Sequence, residues 1–484
     1  MMHNTQAFPQ TAQTSHSIGQ WKLFFIILVE GFATIALEIL CIRQLLPLVG
    51  SSVVVTSLII GIFLFFLALG YWQGGRVQHS YQQRLLRNFC YALVGFSVGI
   101  SYIFVVNFFS FAYHWVTGHL LVILIAYLLV VLAPIVYFLG QTIPITTNLF
   151  QRELHIGAIS GKALFLSTIG SFLGAVLTST LLMNYLGVAW TIFICCCLVA
   201  LLCGFVMDRT QKNNTLVMTA IAILLLIGFE LNVGVERNNF IHTNNFANYQ
   251  VRLNISNPTT DWRKTLIINN GLSATLTPGD KGFPYVELIK RILFQDMGLT
   301  GKQILVLGAG GFTISAEKTA GNDFTYVDID KDIKQVVEEN FQPHINGEFI
   351  GQDARILAKY SNNRYDVIIS DMYNHPNSIP TYLLTREHFS NIRHLLNPNG
   401  LAIFNVIARP YLDDDYSKRI DNTIRYVFHN CMSIPSTYSN SLTNILYFCR
   451  PAANEGDRVV YNDNKNPATI DFFRVQNQQR NSQV

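Results

Sequence analysis

Hydrophobic and polar residues follow two different rhythms along this chain, and the change falls near residue 234. From Trp21 to Phe229 apolar residues run in long blocks with few charges between them. A helix that crosses a bilayer needs roughly 20 mostly apolar residues. Seven stretches qualify: Trp21–Leu46, Val53–Gly74, Phe89–Phe111, Leu120–Ile143, Ala163–Leu186, Trp190–Met207 and Leu216–Val233. The pattern predicts an N-terminal tail over 1–20 and a multi-pass α-helical membrane domain of about seven helices over 21–234. The first stretch lacks a basic leader and is too long for a signal-peptide core, so it reads as a span.

After Val235 the period shortens. Tyr249–Ser256 and Trp262–Asn269 alternate apolar and polar residues and read as a β-hairpin leading to Asn270-Gly271. Tyr285–Met297 has the spacing of an amphipathic helix. Strands are then expected at Ile304–Leu307, Phe324–Val327, Glu348–Ile350, Tyr365–Ser370 and Gly400–Val406. Helices are expected between them at Lys331–Asn340, Ala354–Tyr360 and Arg386–Leu396. Such alternation predicts a parallel sheet with helices on both faces, an α/β Rossmann-like domain. The resulting division is a hairpin region and connecting helix over 235–300, a nucleoside-binding domain over 301–450 and a polar, disordered tail over 451–484.

Composition sharpens the first half of this picture. Half of the 484 residues are hydrophobic and 13% are charged, against about 25% in an ordinary water-soluble domain. Lys and Arg gather in alternate loops: Arg76, Arg84 and Arg87, then Arg152 and Lys162, then Arg209 and Lys212. The positive-inside rule puts these loops and the N-terminus in the cytoplasm. Seven full crossings then leave the C-terminal domain outside, whereas six leave it inside; the side stays open. The net charge of +4, without a basic run, excludes a nucleic-acid partner. Six of eight cysteines lie in apolar stretches, and no CxxC pair exists, so no metal site is expected. Cys431 and Cys449 are placed to bridge or to stay free.

Three ionisable residues fall in or beside the first span: Glu30, Glu38 and Arg43. Charges at membrane depth face protein or water, so they mark either a cation path or a structural Glu38–Arg43 pair. Gly170 and Gly174 form a small-residue patch suited to close helix contact. Pro134 and Pro144 are expected to kink the fourth span.

In open α/β sheets ligands bind beyond the carboxyl ends of the strands. Four features stand there. Gly308-Ala309-Gly310-Gly311 follows the first strand and allows close backbone approach. Asp328 ends the second, where an acidic group accepts hydrogen bonds from both hydroxyls of a ribose. Asp353-Ala354 follows the third, placed to meet an adenine amino group. Asp371 ends the fourth. A dinucleotide fingerprint needs glycine where the chain has Thr313, and no Gly-Lys-Ser/Thr follows the glycines, so a P-loop is excluded.

Together these residues resemble the polyamine aminopropyltransferases, the spermidine synthase family, over roughly 249–450. The resemblance rests on the hairpin, Tyr285-Val286-Glu287, the glycine loop, Val327-Asp328-Ile329-Asp330, Asp353-Ala354 and Tyr365 through Asp371. The run from Ile379 to Phe389, Leu37-Glu38 with Arg43, Leu139 to Pro144, and Gly170 with Gly174 resemble the bacterial branch with an N-terminal multi-pass membrane domain. The resemblance implies a class I S-adenosylmethionine-dependent transferase fold in a bacterial inner membrane. It implies decarboxylated S-adenosylmethionine as co-substrate, a small-molecule amine as acceptor and the lipid bilayer as surroundings; a homo-oligomer stays open. Asp371 then matches the base and Tyr285 a tyrosine that positions the amine. Gly308, Gly310, Gly311, Asp328, Asp353 and Ala354 would hold the nucleoside, and Tyr373 and Asn374 the amine. Other roles are a helix cap for Asp371 and an ordinary helix-face aromatic for Tyr285.

Three positions depart from the family pattern. The glycine loop has Gly311, then Phe312, where an acidic residue usually meets the aminopropyl ammonium. Asn374 replaces a second acidic residue, and Ala274 a glutamine. The nucleoside half of the site is kept while the amine half is altered. The leading expectation is an aminopropyl transfer, an alkyl rather than methyl transfer. The alternatives are an S-adenosylmethionine-dependent methyltransferase on the same scaffold and a non-catalytic polyamine transporter or sensor. Asp413-Asp414-Asp415 reads as a solvated loop or helix start.

Overall fold

The computed structural model describes residues 19–50, 52–116, 119–150, 156–207, 214–257, 259, 261–316, 321–372, 381–451 and 460–481. The expected tail over 1–20, except for its last two residues, and Arg152, Arg209 and Lys212 lie outside them. Among the described residues five helical runs are long and apolar enough to cross a membrane: Gln20–Val49, Val53–Gly75, Leu120–Thr147, Gly157–Val206 and Asn214–Asn239. A bent pair, Tyr81–Gly99 and Tyr102–Trp115, meets at 73° and would make a sixth.

That bend corrects the straight span expected over Phe89–Phe111. Its cause is local. Ser101 accepts a hydrogen bond from the Phe104 N–H and starts a new helix, and the carbonyls freed at the break are taken up by neighbours. Tyr127 Oη donates to Gly99 O at 2.8 Å, and Gln44 Nε2 donates to Ile100 O at 2.6 Å. Buried backbone groups need such partners. The two stretches expected at Ala163–Leu186 and Trp190–Met207 fall in one apolar run of 50 residues. Gly187, at φ +84°, interrupts it between them. In the run Leu120–Thr147 a π-turn at Leu128–Leu132 precedes Pro134, where the proline ring crowds the carbonyl one turn back.

Small residues set the helix spacing. A Cβ on Gly170 would sit 2.1 Å from Leu28 O, one on Gly174 2.5 Å from Phe32 O, and one on Gly31 2.4 Å from Ser167 O. The first helix and helix Ile156–Leu177 therefore touch backbone to backbone. Val53–Gly75 meets the segment around Gly140 in the same way through Gly70 and Gly74.

The rest of the chain forms two sheets. The first is antiparallel in the order β1 (His242–Thr243), β2 (Asn248–Asn257), β3 (Asp261–Ile268), β4 (Gly271–Leu276). Asn269 and Asn270, both at positive φ, make the tight turn between β3 and β4. Helix Pro284–Lys290 then continues through a π-helical turn, Arg291–Asp296.

The second sheet contains β5 (Gln303–Leu307), β6 (Asp323–Asp328), β7 (Glu348–Gly351), β8 (Tyr365–Ser370), β9 (Leu396–Ala408), β10 (Asn430–Pro435) and β11 (Thr443–Arg450). Their order is β10-β11-β9-β8-β5-β6-β7. This is a Rossmann-like α/β sheet. Strands β5 to β9 are parallel, but β10 and β11 add antiparallel, so the fully parallel sheet of the sequence expectation is corrected to a mixed one. A disulfide joins Cys431 to Cys449, directly opposite each other on β10 and β11.

The central strands are apolar on both faces because both are covered. On β5, Ile304 and Val306 pack into one core, and Leu305 and Leu307 into the other, as alternating side chains must. Helix Ile333–Asn340 covers the first face; helices Arg386–Leu395 and Asp415–Val427 cover the second. The polar C-terminal tail is also corrected: Ala468–Asn481 is helical, with Phe472, Phe473 and Val475 buried. Phe472 meets Tyr416 edge-on at 5.2 Å. Three apolar side chains suffice to dock a helix that its Gln and Asn content disguises.

Gly170→Val is expected to separate the first helix from Ile156–Leu177. It should cost at least about 1–3 kcal/mol, read as a lower thermal midpoint of the detergent-solubilised protein. An unchanged midpoint would contradict the backbone contact.

Candidate active site

Four adjacent parallel strands, β8-β5-β6-β7, end side by side, and their last residues carry the polar groups. The backbone knits them together. Asp371 N donates to Leu307 O, Gly308 N to Val327 O, and Gln352 N to Asp328 O, each at 2.8 Å. The chain order reverses between β5 and β8, which opens a crevice there. Gly308 makes this possible: at φ +92°, its missing Cβ would fall 2.1 Å from Asp371 O.

A cavity of about 330 Å³ occupies the crevice, within the lower range for small-molecule sites, about 300–1,000 Å³. Gly308, Gly310, Gly311, Asp328, Asp371 and Tyr285 all line it. The first sheet supplies the facing wall through Phe246, Ala247 and Leu272.

Asp328 is held at both oxygens. Ala309 N donates to Oδ2 and Asp330 N to Oδ1, each at 3.0 Å. Burial lifts its carboxyl from the usual 3.8 to about 6, against the lowering effect of those backbone bonds. Across the cavity Tyr285 Oη donates to Asp371 Oδ2 at 2.8 Å. Asn405 Nδ2 donates to Oδ1 at 2.8 Å. Burial raises the Asp371 carboxyl above its ordinary range, and the two hydrogen bonds oppose that rise. Tyr285 is itself held well above the usual phenol range by burial and by the neighbouring Asp371 charge, so it stays a neutral donor. Phe283 stacks near its ring, with centroids 6.1 Å apart.

Asp353 and Ala354 do not line this cavity. Asp353 caps helix Ala354–Tyr360, its Oδ1 accepting from Arg355 N at 2.7 Å and Ile356 N at 3.3 Å. One oxygen expected to meet adenine is thus committed to the backbone. Tyr373 and Asn374 lie outside the described residues. The glycine loop opens only a single 3₁₀ turn, Thr313–Ser315, among the described residues rather than a long helix. Gly311 leaves no space for the family's acidic side chain: a Cβ would come 2.4 Å from Ala274 Cβ and 2.7 Å from the Phe341 ring. Asp414 caps helix Asp415–Val427, so the acidic run is a helix start.

Asn405 escaped the sequence reading. It is 4% exposed and lines the cavity. Its Oδ1 has no hydrogen-bond partner among the described residues. The available signal was one amide inside the apolar run Ala402-Ile403-Phe404-Asn405-Val406-Ile407. Arg43 also corrects an expectation. It pairs with no Glu38 but donates to Asn244 O and Asn248 Oδ1.

Residues 283–454 match the family described as spermine/spermidine synthase domain. Over 162 residues the chain is 32% identical to a polyamine aminopropyltransferase of Vibrio vulnificus, covering 31% of this chain and 52% of that one. It is 24% identical over 411 residues to a polyamine aminopropyltransferase of Leptospira interrogans, covering 79% of this chain and 78% of that one. The chain thus spans about half the length of the Vibrio relative, and the Leptospira alignment runs into the apolar helical half. A spermidine synthase structure from Thermotoga maritima aligns at a TM-score of 0.33 and 14% identity, over 49% of this chain and 84% of that chain. Residues 283–454 are thus similar to the spermine/spermidine synthase domain.

The raised Asp328 carboxyl sets a pH dependence. Were a ribose to bind here, the deprotonated carboxyl would be the better acceptor for its two hydroxyls, and that form is lost as pH falls through about 6. Affinity for methylthioadenosine, measured by calorimetry, should fall as pH drops from 7.5 to 5. Asp328→Asn should bind weakly and without that slope.

Proposed function

We propose that the protein is a membrane-bound transferase that moves an aminopropyl group from decarboxylated S-adenosylmethionine to an amine. The observation that carries this reading is the pairing, in one cavity, of Asp328 beside the glycine loop with Asp371 across from it. A nucleoside ribose meets Asp328, and Gly308 and Gly310 let the backbone lie along the ligand. The sulfonium then lies toward Asp371. The acceptor amine binds between Tyr285, Asp371 and the free Oδ1 of Asn405.

The step is a displacement. The amine nitrogen's lone pair forms a bond to the methylene carbon next to sulfur. The carbon–sulfur bond breaks, its electrons stay on sulfur, and methylthioadenosine leaves. The nitrogen's proton passes to Asp371. A carboxyl raised by burial is a stronger base than an exposed one, and Tyr285 and Asn405 fix its two oxygens so that it faces the nucleophile. Holding the two reactants in line supplies much of the acceleration. Several long apolar helices support an inner-membrane location in a bacterial cell.

A second reading has its own observation. With no room for a side chain at Gly311, the donor's ammonium lacks the carboxylate that the resemblance leads one to expect there. Ordinary S-adenosylmethionine, whose chain carries a carboxylate, is the alternative donor, and methyl transfer the alternative reaction.

Purified protein supplied with each donor and a panel of amines distinguishes the two by product mass. An aminopropylated amine is expected; a methylated product alone sinks the first reading. Asp371→Asn should lower turnover by about 10²–10⁴ while leaving methylthioadenosine affinity within a few-fold. Unchanged turnover would remove Asp371 from the chemistry.

A further inference from the structure

We propose that Arg43 is a positioning residue for the nucleoside: from the first apolar helix it holds, through Asn244, the acidic turn that presents Asp328. The proposal rests on the reading of the cavity as a nucleoside site. It extends that reading to a residue that does not itself line the cavity.

The connection is a series of short polar contacts in a dry place. Arg43 is 8% exposed. Its Nε and Nη2 both donate to Asn244 O, at 3.1 and 2.8 Å. Asn244 is 1% exposed, and its hydrogen-bonding groups are taken. Its Oδ1 accepts from Phe246 N and Ala247 N, each at 2.9 Å. Its Nδ2 donates to Asp330 at 2.9 and 3.0 Å and to Asp332 at 2.8 Å. Asp330 also accepts from Tyr249 Oη at 2.5 Å. The backbone N–H of the same Asp330 holds Asp328 Oδ1.

Two parts of the cavity thus hang on one asparagine. Phe246 and Ala247 form its facing wall, and the turn Asp328-Ile329-Asp330 forms its acidic rim. Arg43 fastens that asparagine to the helical half. A buried guanidinium needs a nearby negative charge, and Asp330 supplies it one asparagine away. Loss of the arginine therefore releases a hub with an acidic rim on one side and a cavity wall on the other.

A simple domain fastener is the competing role. It predicts a less stable protein whose folded fraction binds nucleoside normally. Asn248 separates the two roles. Its Oδ1 takes one Arg43 bond, at 3.0 Å, but it makes no bond to the acidic turn.

Calorimetry with methylthioadenosine on the full-length, detergent-solubilised protein tests the proposal. Arg43→Ala and Asn244→Ala should each raise Kd about tenfold, at full binding stoichiometry. The double variant should be no weaker than Asn244→Ala alone, because both changes break one chain of contacts. Asn248→Ala should bind like the unaltered protein. Arg43→Lys keeps the charge without the fork and should fall between; it serves also if Arg43→Ala does not purify. Unchanged Kd in Arg43→Lys and Asn244→Ala, or losses that multiply in the double variant, would overturn the proposal. Failure of the unaltered protein to bind would instead overturn the nucleoside reading, and this proposal with it.

Discussion

The cavity depends on one close approach, the backbone of Gly308 against that of Asp371. No side chain fits between them, since a Cβ would lie 2.1 Å from the Asp371 carbonyl oxygen. That contact lets β5 and β8 end at the same level while the chain departs in opposite directions. The acidic ends of β6 and β8 are thereby left facing one space. Everything chemical in the molecule follows from this placement. Asp371 and Asp328, the two carboxylates that line the cavity, come from strands that are not neighbours in the sequence.

What could be read from the residues was what local rules govern. Ligands bind at the strand ends of such sheets, so the placing of Asp328, Asp371 and the glycine loop around one crevice was legible without coordinates. Tyr285 was legible because its motif is a family motif. Asp353 has a structural role that the same rule does not foresee. It stands at a strand end, yet its position before Ala354–Tyr360 makes it a cap, and capping satisfies otherwise unpaired backbone donors. Asn405 looked like one polar interruption in a buried strand, and only its contact with Asp371 gives it meaning. The antiparallel strands β10 and β11 and the helix Ala468–Asn481 were also missed. The helix and β10 have polar sequences held by packing across the fold, whereas β11 is largely apolar, and its run from Ile445 to Cys449 was a signal left unread.

The joint between the two halves was the least legible part. Arg43 and Asn244 are 201 positions apart, and neither has a periodic neighbour that hints at the other. The first helix predicted a charged residue looking for a partner, and the natural choice was Glu38 one turn away. The structure spends Arg43 on the other domain. Further bonds run alongside it: Asn245 Nδ2 donates to Ser179 O at 2.7 Å, and Ala189 N donates to Glu236 at 3.1 Å. The helical half is therefore attached directly to the segment that walls the cavity.

The cross-strand pair Cys431–Cys449 has a topological consequence. Bonds between cysteines endure where the surroundings are oxidising and are opened by cytosolic thiols. The pair closes the outer edge of the sheet, on β10 and β11, away from the glycine loop. In living cells its redox state would therefore act as an address label, reporting whether the domain sits in a reducing or an oxidising compartment.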